Sequence, residues 1–370
     1  MHMPGRLRLA CIGGFLGSGK TTMMINLGRR LVEKHGRRVA IITNDQGDVL
    51  VDSKIVRDFG FEYAEVLHGC FCCRFPEFIT SVHEIMAKLH PDVVLAEPVG
   101  SCTDLLATVY APLRRYYSGE ITLAPYTVLV DASTILRYHG KYDLLSPKDP
   151  LGSLLSWQIK EAEIIAINKV DLVSAENLAE VENLVRRLNS EAEVLRTSAK
   201  TGYNLDVLTD MLLSREHKPR PTIEVDYDTY GTAEAKLGWF NGSWKLSSKH
   251  RLKLENLIGD LVLETAKRIE DLGGLVVHLK VSFWTGEGSA KASYVLTEES
   301  VDFTGTVPPP SDEVDVIMNI RALLEPEAIT DCVKKALEAV ALKYDAEYSN
   351  WVASSFKPSY PKPYYRLPQT

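Results

Sequence analysis

The segment that most limits how this chain can fold is GGFLGSGKTT, residues 13–22. Within it, Gly14-Phe-Leu-Gly17-Ser18-Gly19-Lys20-Thr21 satisfies GxxxxGK[ST] at every fixed position. RLRLACI before it reads as a buried strand. TTMMINLGRRLVEKHG after it reads as a helix, with Met23, Met24, Leu27 and Leu31 on one side and Gly36 at its end. Glycines let successive backbone N–H groups turn toward phosphate oxygens, and the helix N-terminus adds the positive end of its dipole. Gly14, Gly17, Ser18, Gly19, Lys20, Thr21 and Thr22 are therefore the expected phosphate-binding residues, with the Lys20 charge at the β- and γ-phosphates and the Thr21 hydroxyl on Mg²⁺. A chance glycine-rich turn would lack the flanking strand and helix.

A second motif selects the base. EIIAINKVDLVS, residues 163–174, is an apolar strand ending in Asn168-Lys169-Val170-Asp171. A carboxylate at Asp171 accepts from both the N1–H and the 2-amino group of guanine, a donor pair that adenine lacks. Lys169 can lie along the base, and Asn168 can tie neighbouring loops together. Further on, VLRTSAKTG ends a strand at Ser198-Ala199-Lys200, whose backbone N–H groups are expected at the guanine O6. The expected nucleotide is GTP. HPDVVLAEPVG places Glu97 at the end of a buried strand, in position to hold Mg²⁺ directly or through water. Asp45, Asp48 and Asp52 lie in a polar loop after another strand, and at least one is expected to face the γ-phosphate, its Mg²⁺ or the attacking water. Lys20, Asp45 and Glu97 are thus the candidate catalytic residues.

HGCFCCRF, residues 68–75, concentrates half of the chain's six cysteines in four positions. With so few cysteines in 370 residues, unevenly spaced, the chain reads as the product of a reducing compartment and is expected to be cytoplasmic. Three thiolates suit Zn²⁺ or Cu(I) and leave a fourth tetrahedral position open, which allows a bound ion to be handed on. Cys72 and Cys73 would point to opposite faces of an extended strand, so the loop must fold back, or the site be shared between subunits. His68 is either a fourth ligand or an ordinary loop histidine. Redox-active thiols and packed small hydrophobes are the alternatives for the cluster. Cys11 and Cys332 read as core. Cys102, five positions after Glu97, reads as core or as part of the active site.

Taken in order, GGFLGSGKTT, GCFCC, EPVG and NKVD resemble the CobW/HypB/UreG GTPases over roughly residues 5–215. The GCxCC element is similar to that of the CobW-type branch. The resemblance implies GTP hydrolysis coupled to metal insertion or cofactor maturation. It makes Cys70, Cys72 and Cys73 a transition-metal loop, for Zn²⁺ ahead of Co²⁺ or Ni²⁺. It links Glu97-x-x-Gly100 to Mg²⁺, sets Asp45 where the branch usually has glutamate, and matches Asp52 to a family aspartate. Thr21, Asp45, Asp52 and Glu97 are then the Mg²⁺ group. The implied partner is a client metalloenzyme or a corrinoid protein, and a nucleotide-dependent homodimer is a further expectation. A metal-sensing regulator that delivers nothing is the alternative reading. A small-molecule kinase is a third, disfavoured by the guanine motif.

The rest of the chain reads as follows. Strand–helix alternation runs to about residue 215, which predicts an α/β P-loop NTPase domain over 1–215 with a mostly parallel sheet and helices on both faces. SREHKPRPTIEVD opens a linker over 216–231. Residues 232–350 suggest a smaller C-terminal α+β domain in the order β-α-β-β-β-α, with Trp239, Trp244 and Trp284 read as core aromatics or as a contact surface. The stretch 351–370 is a Pro/Tyr-rich tail, packed on its own domain or disordered, with a partner-binding peptide as the alternative. A net charge of −7 argues against a nucleic-acid partner, and no apolar run is long enough to predict a membrane span.

Overall fold

The structure is a computed structural model and describes residues 6–45, 62–67, 70–295 and 300–368. The chain falls into two compact units. One extends to Gly231 and regains the chain at Pro361; the other runs from Thr232 to Tyr360.

The first unit is built on an eight-stranded sheet. Its strands are β1 (Leu7–Gly14), β2 (Val39–Asp45), β3 (Glu62–Leu67), β4 (Val93–Glu97), β5 (Ile121–Leu123), β6 (Thr127–Asp131), β7 (Ile164–Asn168) and β8 (Glu193–Arg196). The order is β3-β2-β4-β1-β6-β7-β8, with β5 also pairing with β1, and every pair is parallel. β4, β6 and β7 are buried along their whole length, which is why they read as unbroken apolar runs rather than alternating ones. From β1 the chain builds β2, β3 and β4 on one side, then reverses to build β6, β7 and β8 on the other. In open parallel sheets such a reversal opens a crevice at the carboxyl ends of the strands. Both β1 and β4 deliver their last residues, Gly14 and Glu97, to that edge.

The helices of this unit are α1 (Lys20–Glu33), α2 (Phe75–Leu89), α3 (Ala111–Tyr117), α4 (Ile135–Tyr142), α5 (Pro150–Lys160), α6 (Ala175–Leu188) and α7 (Leu205–Ser214). The four residues read as the apolar side of α1, Met23, Met24, Leu27 and Leu31, are all buried and pack on Ala10 and Ile12 of β1 and on Leu205 and Leu208 of α7. Local chemistry sets several starts. The Asp149 carboxylate accepts from the Leu151 N–H ahead of α5, and Ser174 Oγ accepts from the Asn177 N–H ahead of α6. A single π-helical turn, Leu106–Tyr110, leads into α3.

The second unit, entered through α8 (Tyr227–Ala235), is a six-stranded sheet in the order β12-β11-β10-β13-β9-β14, antiparallel throughout. Its strands are β9 (Gly238–Leu252), β10 (Val276–Thr285), β11 (Gly288–Val295), β12 (Ser300–Thr304), β13 (Ser311–Ala322) and β14 (Ala346–Phe356). Two helices, α9 (Leu254–Asp271) and α10 (Pro326–Lys343), complete the core with Leu257, Leu261, Val333 and Leu337 against Phe240, Val281 and Ile320. Two strands exceed the order expected from sequence. β12, Ser-Val-Asp-Phe-Thr, is short and half-buried, so it carries little apolar signal. β14 is an edge strand with three serines and one asparagine, whose pairing with β9 shifts between Ser349 and Val352, which breaks its alternation. Residues through 356 therefore belong to the sheet, and the chain from Pro361 packs with the first unit. Trp239 and Trp244 are buried, and the Arg321 guanidinium lies 3.6 Å over the Trp239 ring.

Candidate functional site

The phosphate loop carries positive φ at Gly14, Gly17 and Gly19. At Gly19 a side chain is excluded by space as well, because a Cβ would lie 2.6 Å from Asn168 Nδ2. That contact is part of a tie between loops. Asn168 Nδ2 donates to the Ser18 carbonyl at 2.8 Å, while its Oδ1 accepts from the Ala199 N–H at 2.8 Å. One side chain at the end of β7 thus holds the phosphate loop and the Ser198-Ala199-Lys200 turn together. Lys20 is buried and its Nζ donates to the Phe15 carbonyl inside the loop at 3.2 Å. Ser18 Oγ is buried with no hydrogen-bond partner, an orphaned polar atom within the phosphate loop. Thr22 follows half-buried on α1. The donor set fits a polyphosphate.

Thr21 Oγ1 donates to the Glu97 carboxylate at 3.1 and 3.3 Å, and both residues are buried. A hydroxyl and a carboxylate converging beside a phosphate cradle are hard oxygen ligands of the kind Mg²⁺ takes. Thr43 pairs with Glu97 in the sheet, so Asp45, two residues on, ends β2 at the same carboxyl edge. Asp48 and Asp52 lie outside the described residues. On the base side, Lys169 takes φ +63° and its Nζ reaches Asp131 Oδ2 at 2.7 Å, while Asp171 is exposed in the turn that follows. The Ser198 N–H donates to the Tyr203 carbonyl at 3.2 Å, so the N–H groups of Ser198 and Ala199 are both engaged within the protein. Lys200 is exposed beside them.

The cysteine loop is folded back on itself. The N–H groups of Cys73 and Arg74 both donate to the Cys70 carbonyl, at 3.1 and 2.9 Å, and α2 starts at once. This turn gathers the sulfurs of Cys70, Cys72 and Cys73 to within 4.8 Å of one another. Cys70 Sγ lies 2.6 Å from Cys72 Sγ, and Cys72 Sγ 3.8 Å from Cys73 Sγ. Cys70 and Cys72 are buried and Cys73 is half-buried. Hydrogen bonds from Cys102, Cys72 and Cys73 hold the Cys70 thiol well below its ordinary value. Cys72 is driven the other way by its bonds to Cys102 and Cys70 and by burial, and Cys73 is pushed up to about 12, first by its bond to Cys70. Three sulfurs gathered this closely are the donor set that a soft cation takes. His68 and Gly69 lie outside the described residues.

The profile of the CobW/HypB/UreG nucleotide-binding domain matches residues 8–196, more than half of the chain. The chain belongs to the CobW/HypB/UreG family. Among curated relatives it is 30% identical over 227 residues to zinc-regulated GTPase metalloprotein activator 1 of Dictyostelium discoideum, covering 52% of this chain and 46% of that one. It is 30% identical over 220 residues to zinc chaperone CobW of a Sinorhizobium species, covering 54% and 60%. Against zinc chaperone YjiA of Escherichia coli K12 it is 26% identical over 196 residues, covering 51% and 56%. The chain spans about half the length of the curated relatives it matches.

Within this CobW/HypB/UreG domain, the segment joining Glu97 to the cysteine cluster is clamped on several sides. A Cβ on Gly100 would fall 2.7 Å from Leu16 Cδ2 and 3.0 Å from the Leu16 backbone nitrogen, so the segment lies directly against the phosphate loop. Gln158 Nε2, buried on α5, donates to the carbonyls of Gly100 at 2.9 Å and Cys102 at 2.8 Å. Thr103 Oγ1 donates to Glu161 Oε1 at 3.0 Å, and the Leu106 N–H to Glu161 Oε2 at 3.3 Å. Burial, and next the charge of Asp104, push the Glu161 carboxyl up to about 8. Buried Asp104 accepts from Tyr227 Oη and Arg366 Nε, both at 2.7 Å. Arg366 belongs to the stretch beyond Pro361, which also reaches the cysteine loop. The Tyr364 N–H donates to the Cys72 carbonyl at 2.8 Å, the Lys362 backbone bonds to the Cys73 sulfur, and Tyr365 packs edge-on against Phe75. Sequence reasoning singled out none of Asp104, Gln158, Glu161, Lys362, Tyr364 or Arg366. They act through tertiary contacts between distant segments, and no local pattern marks them. Among the described residues no helix is long and apolar enough to cross a membrane.

Proposed function

We propose that this chain is a GTP-hydrolysing metallochaperone or cofactor-maturation factor. It couples nucleotide state to zinc binding at Cys70, Cys72 and Cys73 and passes the metal to a client metalloenzyme or corrinoid protein. The observation that carries the reading is the convergence of three sulfurs within 4.8 Å in the same compact unit as a phosphate loop whose Thr21 is bonded to Glu97. Relatives named as zinc chaperones and zinc-regulated activators support zinc ahead of cobalt or nickel as the cargo.

In this reading the glycine loop and Lys20 hold the phosphates, Thr21 and Glu97 hold Mg²⁺ with Asp45 and Asp52 as further carboxylates of that group, and Asp171 with Lys169 selects guanine. Mg²⁺ neutralises charge that builds on the phosphate oxygens. Asp45 and Glu97, at the carboxyl edge shared by β2 and β4, orient the attacking water. Asn168 keeps the base-side turn in register with the phosphate loop. A homodimer formed on GTP and a cytoplasmic setting complete the proposal.

The test measures phosphate release from Mg²⁺-GTP and zinc affinity by competition with a chromophoric chelator on the same preparation. The expected result is slow, saturable GTP turnover with one zinc bound per chain. Turnover of ATP in place of GTP, or the absence of tight zinc, overturns the reading. Zinc that binds and never leaves for an apo-metalloenzyme acceptor favours a sensor over a chaperone.

A further inference from the structure

We propose that Cys102 is the fourth sulfur of the metal site, so that Cys70, Cys72, Cys73 and Cys102 form a four-thiolate seat. The segment Glu97–Cys102 then carries nucleotide state to the bound ion. This rests on the metallochaperone reading and adds to it a ligand and a route.

Geometry brings Cys102 to the cluster from a separate part of the chain. The Cys102 N–H donates to the Val99 carbonyl at 2.9 Å, closing a tight turn after β4, and the Cys102 carbonyl is pinned by Gln158. That turn presents the side chain to the folded-back loop before α2, where its sulfur hydrogen-bonds with both Cys70 and Cys72. A buried cysteine serving only as a small hydrophobe would pack against carbon. This one, 3% exposed, faces two other sulfurs. Zinc–thiolate bonds of about 2.3 Å set the edges of a sulfur tetrahedron at about 3.8 Å. The Cys72–Cys73 separation of 3.8 Å already matches that edge, and the Cys70–Cys72 pair at 2.6 Å must open by roughly 1.2 Å to admit the ion. Binding of a divalent cation displaces the protons that the four sulfurs carry.

The four sulfurs differ in what holds them. Cys70, Cys72 and Cys73 share one loop, whereas Cys102 lies at the far end of a six-residue segment whose first member, Glu97, bonds Thr21. Gly100, between them, touches the phosphate loop at Leu16. A change at the Thr21–Glu97 pair therefore pulls on one ligand of four. With Cys102 engaged the site is closed. With Cys102 withdrawn it is a three-thiolate site with an open position, beside the half-buried Cys73 where a recipient's ligand can enter.

The experiment loads the full chain with Co²⁺ and records the near-ultraviolet thiolate-to-cobalt charge-transfer band per metal. Cys102→Ser and Cys102→Ala are compared with the unaltered chain, each with GDP and with a non-hydrolysable GTP analogue. X-ray absorption of the zinc-loaded unaltered chain counts sulfur neighbours directly, without any variant. Expected are four sulfurs in the GTP-analogue state, a band about one quarter weaker in both variants, and zinc affinity lowered 10- to 100-fold. The nucleotide effect on the band disappears in both variants. Three sulfurs in both nucleotide states, or an unchanged band in both variants, overturns the assignment and leaves the metallochaperone reading standing. A chain that binds neither cobalt nor zinc through sulfur overturns both.

Discussion

The phosphate loop and the cysteine loop are the same kind of object in this fold, each a short turn that opens directly into a helix. They differ in what they bind with. The phosphate loop works through backbone N–H groups, so one contiguous segment, Gly14–Thr22, suffices, and its shape is enforced by positive φ at three glycines and by Asn168. The cysteine loop works through side chains. Folding back on the Cys70 carbonyl converges three sulfurs, and the neighbouring thiol of Cys102 must come from beyond β4. A seat for a hard anion can be encoded locally. A seat for a soft cation needs side chains from more than one segment, and that need couples it mechanically to whatever the second segment touches.

Four substitutions break or sharpen this contrast, from the largest effect downward. Lys20→Ala removes the one side-chain charge of the phosphate loop, and GTP turnover is expected to fall about 10²-fold or more with zinc affinity in the GDP state unchanged. Steady-state phosphate release and chelator competition measure the two. Cys72→Ser has the mirror effect. Zinc affinity falls by about 10²-fold, while GTP affinity read by a fluorescent analogue in the absence of zinc stays within about twofold. Gly100→Ala is the exception that the linking segment predicts. Its Cβ strikes Leu16, costs about 1–3 kcal/mol in chemical denaturation, and weakens nucleotide and zinc binding together. If Gly100→Ala alters only one of the two, the segment is not the link.

The fourth concerns the clamp behind that segment. Glu161 titrates near 8 in the folded chain against its ordinary 4.5, so between those values the folded state keeps a proton that the unfolded state releases. Its contribution to stability is complete below about pH 4.5 and is lost as pH rises through about 8, with a slope of at most about 1.4 kcal/mol per pH unit. Thermal midpoints across pH 5–8.5 should fall with pH more steeply in the unaltered chain than in Glu161→Gln. Parallel profiles would show that the carboxyl does not titrate there.

Much of the first unit was legible because its signals are local. The glycine loop, the fully buried strands and the apolar side of α1 each follow from a few adjacent residues, as do the thiols of 70–73. The second unit was read less completely. β12 and β14 are polar, half-buried edge elements, and Asn241-Gly242, a dipeptide common in hairpin turns, lies inside the single strand β9, where Asn241 Oδ1 accepts from Asn319 and Arg321. The stretch from Pro361 read as a tail because nothing in PKPYYRLP announces that Arg366 reaches a buried Asp104 and that Tyr364 meets Cys72. Cys102 was visible as a cysteine near Glu97. Its approach to Cys70 and Cys72 is a product of the turn after β4 and the folded loop before α2, and no spacing rule connects them.

The central claim is that the sulfur cluster and the nucleotide pocket act on one another. Its most direct test is zinc affinity measured by chelator competition on one preparation, first saturated with GDP and then with a non-hydrolysable GTP analogue. Coupling predicts tighter zinc in the GTP-analogue state by at least about tenfold, which is about 1.4 kcal/mol, and an equal tightening of the analogue by zinc. Identical zinc affinity in the two states would contradict the account.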